Sequence, residues 1–176
     1  MPAFVVCRPV FRVAVFAAAL LCSSAWAGTV LDSAALLGIS PAQVRQTLTD
    51  VQPVRAPRRL SSGALGSLRV PDALHEGLHF EQTLFFAGQK LQQIDLVLPE
   101  AGPDATLAAQ TTLMHSLRAE LGPELAAFGS GGGDIPDTAS WVNGDADIML
   151  FRSGRPERPT LRIVIKQRRL QDASEL

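Results

Sequence analysis

The chain has 176 residues, 16 Lys plus Arg against 17 Asp plus Glu, and 47% hydrophobic side chains. That balance belongs to a globular protein; it excludes a disordered chain and a basic nucleic-acid binder. Both cysteines, Cys7 and Cys22, lie before residue 28, so the rest of the chain can hold no disulfide, thiolate nucleophile or Cys-ligated metal.

The N-terminal stretch reads as an export signal. Arg8 and Arg12 make a positive start, Val13 to Leu21 is an apolar run, and Ala25-Trp26-Ala27 is a small-x-small site, so cleavage is expected before Gly28. A membrane-spanning helix needs roughly 20 apolar residues, about twice this run. Leu21 also stands where a lipid-modification box needs a small residue before Cys22. No stable membrane anchor is therefore expected after cleavage. Arginine dominates the basic residues, with lysine only at Lys90 and Lys166, a bias of GC-rich bacterial genomes. Export would then lead to the periplasm. Residues 28–176 are expected to form a single domain, long enough to bury a core without staples. Without Arg8 and Arg12, 14 basic and 17 acidic residues remain, and the acidic excess gathers in residues 99–154.

A short helix is expected over 31–37, behind Asp32 or Ser33. Ile39-Ser40-Pro41-Ala42-Gln43-Val44 carries stronger signals: Ser40 as N-cap, Pro41 at the first helical position, and Gln43 closing a capping box. Val44, Leu48 and Val51 form one apolar stripe, which predicts a helix over 41–51. Strands are expected at 54–60 and 64–70, the first an edge because Pro57 interrupts it. Arg55, Arg58, Arg59 and Arg69 cluster here, as a charged edge or a contact for an anionic partner. Pro71-Asp72 reads as a turn.

Residues 78–98 form the clearest pattern. Leu78, Phe80, Leu84 and Phe86 alternate on one arm and Ile94, Leu96 and Leu98 on the other, around Ala87-Gly88-Gln89-Lys90. This predicts a hairpin with one apolar face. A helix over 105–121 follows, capped by Asp104, with Leu107, Met114, Leu117 and Leu121 inward and Gly122-Pro123 as its stop. Glu124 to Phe128 adds a helical turn, and 129–134 is a glycine-rich loop without the Lys-Ser/Thr of a phosphate-binding loop. Trp141 reads as a core anchor beside an Asn143-Gly144 turn. Asp134, Asp137, Asp145 and Asp147 lack the spacing of a calcium loop. Strands at 148–151 and 161–166 flank a polar loop at 152–159, and the tail after Leu170 is loose.

The fold expected is α+β: a curved antiparallel β-sheet of about six to seven strands with two amphipathic helices packed on it, in the order α-ββββ-α-βββ. Its two α-then-meander halves would be 28–98 and 104–170.

His75-Glu76-Gly77-Leu78-His79 matches the HExxH pattern of zinc proteases, in which two histidines on one helix face bind metal and the glutamate activates water. Here Gly77 breaks the pattern, and strand alternation claims His79. In a strand the two histidines would stand roughly 13 Å apart. The leading reading is thus an exported periplasmic non-catalytic binding or accessory module without a cofactor. Its partner would be an envelope protein or an anionic envelope component, met by Arg55, Arg58, Arg59 and Arg69. The alternative is a small zinc-dependent hydrolase with His75 and His79 on the metal and Glu76 catalytic.

Overall fold

The computed structural model describes residues 28–129 and 135–168. The expected export signal, most of the expected glycine-rich loop and the expected loose tail lie outside the described residues. Three helices, α1 (Val30–Ala34), α2 (Pro41–Thr47) and α3 (Pro103–Leu121), accompany eight strands. The first four are β1 (Gln52–Pro53), β2 (Leu65–His75), β3 (Leu78–Ala87) and β4 (Lys90–Val97). The last four are β5 (Ala126–Phe128), β6 (Thr138–Asn143), β7 (Ala146–Arg155) and β8 (Arg158–Gln167). All pair antiparallel in one sheet of order β1-β2-β3-β4-β8-β7-β6-β5. Two meanders, each preceded by a helix, thus meet at β4 and β8.

The tight turns follow from local chemistry. Gly88-Gln89 joins β3 to β4 with φ of 56° and 62°, the paired positive values of a type I′ turn, whose twist suits a hairpin. Between β6 and β7 the central pair is Gly144-Asp145, not Asn143-Gly144, and only Gly144 takes positive φ, the type II′ pattern. β7 and β8 extend through the expected polar loop to a two-residue turn at Pro156-Glu157, so that Gly154 faces Pro159. A side chain at Gly154 would come within 2.7 Å of the Arg158 carbonyl, which is why glycine stands there.

Several expectations change. There are eight strands and three helices, so the order is α-α-ββββ-α-ββββ. Residues 124–128 are no helical turn: Leu125 N–H donates to the Ser140 carbonyl and 126–128 pair with β6. The expected strand at 54–60 is a loop after the two-residue β1. Pro71-Asp72 is a bulge inside β2, where the register against β3 slips between Val70 and Ala73. α2 stops at Thr47, whose hydroxyl turns back to the Gln43 carbonyl, and Leu48 is already extended. α3 begins at Pro103 behind Gly102, and its inward stripe is Thr106, Ala109, Gln110, Leu113, Met114 and Leu117, with Leu107 on the flank.

One row of apolar side chains crosses six strands on the helix-covered face: Leu68, Leu84, Ile94, Ile165, Ile148 and Trp141, none more than 2% exposed. A second row beside it holds Val70, Gln82, Leu96, Ile163, Leu150 and Ala139. Apolar residues of all three helices (Val30, Ala34, Val44, Ala109, Leu113, Met114, Leu117) join this cluster. Each buried Val, Leu, Ile or Met among them contributes about 1.5–3 kcal/mol by leaving water. Trp141 is a core anchor, and its indole N–H donates to the Gly122 carbonyl at 3.1 Å, tying β6 to the end of α3. Ile165→Ala is expected to cost about 3 kcal/mol through the cavity it leaves. Urea unfolding followed by fluorescence of Trp141, the only tryptophan among the described residues, measures this directly.

Candidate functional site

The HEGLH segment is a hairpin turn, not a helix. His75 ends β2, Glu76 and Gly77 form the turn with φ of 52° and 74°, and Leu78 and His79 begin β3. His75 pairs with Leu78 and His79 with Leu74, so the two histidine side chains leave opposite faces of the sheet. One ion cannot be reached by both. His75 is buried, and its Nδ1 lies 3.3 Å from the Thr29 carbonyl. A carbonyl only accepts, so Nδ1 carries the ring proton. His79 is exposed, with Nδ1 2.6 Å from Asp72 Oδ1. Glu76 accepts a bond from the Ser116 hydroxyl at 2.8 Å, while its backbone N–H donates to the Gly28 carbonyl. These groups fasten Gly28, Thr29 and α3 to the hairpin tip.

Of the acidic residues weighed for calcium, Asp137 pairs with Arg152 at 2.7 Å, and Asp147 lies 3.9 Å from both Lys166 and Arg168. Asp134 lies outside the described residues. Among the described residues no group of three His, Cys, Asp or Glu side chains could hold a metal ion.

The arginines gather on the other face of the sheet, the one free of helices. After β1 the chain bulges outward, then returns so that the Gly66 N–H donates to the Arg58 carbonyl at 2.9 Å. Between this loop and the sheet lies a cavity of about 700 Å³, lined by Arg55, Arg58 and Arg69 with Gln52, Glu81, Thr83 and Phe85 among its other walls. Arg59 does not join them; its guanidinium donates to the Gly63 carbonyl at 2.9 Å.

Phe85 forms the floor. It is fully buried, its ring lying against Gly66, where a Cβ would sit 2.7 Å from a ring carbon. The Arg58 guanidinium covers the ring from outside, 5.2 Å from its centroid, a cation–π distance. From there Arg58 reaches Asp95 Oδ2 at 2.7 Å. Arg162 donates to the same oxygen at 2.5 Å, and Gln93 Nε2 donates to Oδ1 at 2.7 Å. The Asp95 side chain is only 2% exposed, and two guanidiniums face it there. Arg69 lies 3.6 Å from Glu81 and 3.4 Å from Gln52 Oε1. Arg55 is exposed and has no ion-pair partner among the described residues. The lining therefore holds three guanidiniums (Arg55, Arg58, Arg69) against one carboxylate (Glu81), with Asp95 behind it shared between Arg58 and Arg162, and the cavity is positive.

Sequence reasoning found the arginines but missed Asp95, Phe85, Gly66 and Arg162. Asp95 had a signal: it is the one charged residue amid the alternation Ile94, Leu96, Leu98. Comparison with known proteins adds no relative: no family model matches the chain, and neither does any curated protein or solved structure.

The shared carboxylate predicts an asymmetry. Asp95→Ala leaves Arg162 partly buried without its anion and is expected to cost about 3 kcal/mol. Arg58→Ala removes a largely exposed partner while Arg162 stays, and is expected to cost about 1 kcal/mol or less. Equal losses in urea unfolding would contradict this assignment of roles. A second expectation concerns pH. Burial lowers the pKa of His75, against the opposing pull of the Thr29 carbonyl, Gln82, Glu76 and Asp32. The unfolded chain therefore binds the proton more readily, so this contribution to stability is complete above about pH 6.5 and declines as pH falls through the lower folded value. Unfolding free energies at pH 7.5 and 5.5 should differ less in a His75→Leu variant than in the parent.

Proposed function

We propose that the chain is an exported, non-catalytic binding or accessory module of the bacterial envelope, working in the periplasm after cleavage before Gly28. The arginine cavity holds an anionic group of an envelope protein or of another envelope component. The observation that carries this reading is the convergence of Arg55, Arg58 and Arg69 on one cavity with an aromatic floor. A concave site of several hundred Å³ with a few directed polar groups is the usual form of a ligand pocket. Guanidiniums suit carboxylates and phosphates because their planar donors match two oxygens at once.

The non-catalytic part of the reading rests on the lining itself. Glu81 is its one carboxylate and is held by Arg69, and the lining includes no histidine, cysteine, serine or lysine. Export rests on the arginine-flanked apolar run and the Ala25-Trp26-Ala27 site. Among the described residues no helix is long and apolar enough to cross a membrane.

Isothermal titration with pyrophosphate and with citrate at low salt tests the cavity. Binding should weaken at least tenfold in an Arg55→Ala/Arg69→Ala variant, weaken with added salt, and stay unchanged in Arg59→Ala, whose side chain points elsewhere. Equal loss from Arg59→Ala, or no binding by the parent, would defeat the proposal. Mass spectrometry of protein secreted with its own leader should give Gly28 as the first residue.

A further inference from the structure

The helix-free face carries more than the cavity. Register places its side chains in rows across the sheet. One row runs Glu81, Val97, Arg162, Phe151, Thr138 and Phe128; the next runs Arg69, Thr83, Asp95, Val164, Met149 and Ser140. A sheet face turned to water normally alternates to polar residues. Here Val97, Val164, Met149 and Phe151 on β4, β8 and β7 form an apolar patch around Arg162, beyond the cavity's Phe85 floor. Val164 is buried by its neighbours, Val97, Met149 and Phe151 stay partly exposed, and Phe128 at the far edge is 67% exposed. Among the described residues nothing packs on this patch.

We propose that this face is a protein-docking surface: its occupant is a partner protein that places an acidic side chain in the arginine cavity and lays apolar side chains on Val97, Met149, Phe151 and Val164. This deepens the cavity reading and rests on it. Size supports a protein and not a lone anion. Each row crosses six strands, about 29 Å at about 4.8 Å per strand, and three such rows about 7 Å apart make a face of roughly 600 Å², the lower end of one side of a standard interface. A small anion would fill the cavity and leave the patch wet. Charge decides against a second copy. On this face Glu81, Asp95 and Asp147 are each already paired with a basic side chain, so a face-to-face copy would bring guanidiniums to guanidiniums. The missing carboxylate has to come from elsewhere. The arrangement is that of an interface with an apolar centre and a polar rim of Gln93, Lys166, Thr83 and Ser140.

The test uses the secreted full chain immobilised for selection of a phage-displayed random peptide library, with two double variants as controls. Arg55→Glu/Arg69→Glu alters the cavity; Met149→Lys/Phe151→Glu alters the patch at partly exposed positions, and circular dichroism verifies that both fold. Enriched peptides should combine Asp or Glu with aromatic or aliphatic residues, and synthetic copies should bind at least tenfold more weakly to each variant. Peptides that need the arginines but ignore the patch variant would overturn the docking surface and leave the cavity standing. Peptides that need the patch but ignore the arginine variant would overturn the docking surface as proposed, in which an acidic side chain enters the cavity. No enrichment overturns the docking surface, while the pyrophosphate titration judges the cavity separately. A dimer in sedimentation that the patch variant dissolves would show a second copy to be the occupant and overturn the choice made here.

Discussion

Everything in this fold hangs on the antiparallel pairing of β4 with β8, residues 93–97 against 162–166. Without it there are two separate meanders, each with a bare edge and half of an apolar row. With it, Ile94 meets Ile165 and Leu96 meets Ile163, and the rows on either side become continuous from β2 to β6. The helices then have a broad apolar floor to lie on. α3 lays its buried stripe on β6 and β8, and its Ser116 hydroxyl donates to Glu76 at the β2–β3 turn, so the third helix ties the second half of the chain to the first.

The same seam organises the opposite face. Because side chains alternate along a strand, the residues between Ile94 and Leu96 and between Ile163 and Ile165 point away from the helices. They are Asp95 and Val164, which face each other across the seam. Asp95 sits at the middle of the sheet, shielded from water, and takes one arginine from β8 and one from the loop after β1. It therefore binds that loop across the sheet, and the loop in turn makes one wall of the cavity. Phe85 supports the arrangement from below: glycine at 66 lets its ring lie flat, and the ring gives Arg58 a surface to rest on. A buried ion pair is a weak source of net stability, since desolvation offsets most of the attraction. Its effect here is positional, holding a long exposed side chain in one place.

How far residues announced this depended on how local the cause was. The start of α2 was legible because Ser40 and Gln43 bond each other's backbone N–H groups within four residues. The β3–β4 hairpin was legible because alternation and a glycine turn are both local. β5 was not: its residues have no strand pattern, and pairing with Thr138–Ser140 alone makes them extended. The end of α2 was misplaced because the Thr47 hydroxyl and the turn at Asp50, with φ of 56°, break the apolar stripe before it runs out. At the site, the arginine cluster was visible as composition, but which arginines converge was not. Arg58 and Arg59 are neighbours, yet one reaches the buried carboxylate and the other its own loop. The HExxH match was only an alternative because its spacing is meaningful only on a helix, and Glu76-Gly77 in left-handed conformation makes the segment a reversal.

The central place of β8 bears on the order in which the chain can acquire its structure. Asp95 and Arg162 are 67 residues apart, and β1 to β4 are complete long before β8 is available. In that interval β4 is an open edge with Ile94 and Leu96 unpaired along one side, the kind of strand that recruits other chains. Joining two distant segments at the middle of a sheet also costs closure entropy before any contact is gained, which slows folding. A polypeptide made N-terminus first would spend that delay with its sheet half built. For this architecture the vulnerable species is a half-finished meander, and what protects it is the speed with which the last strand reaches the first half.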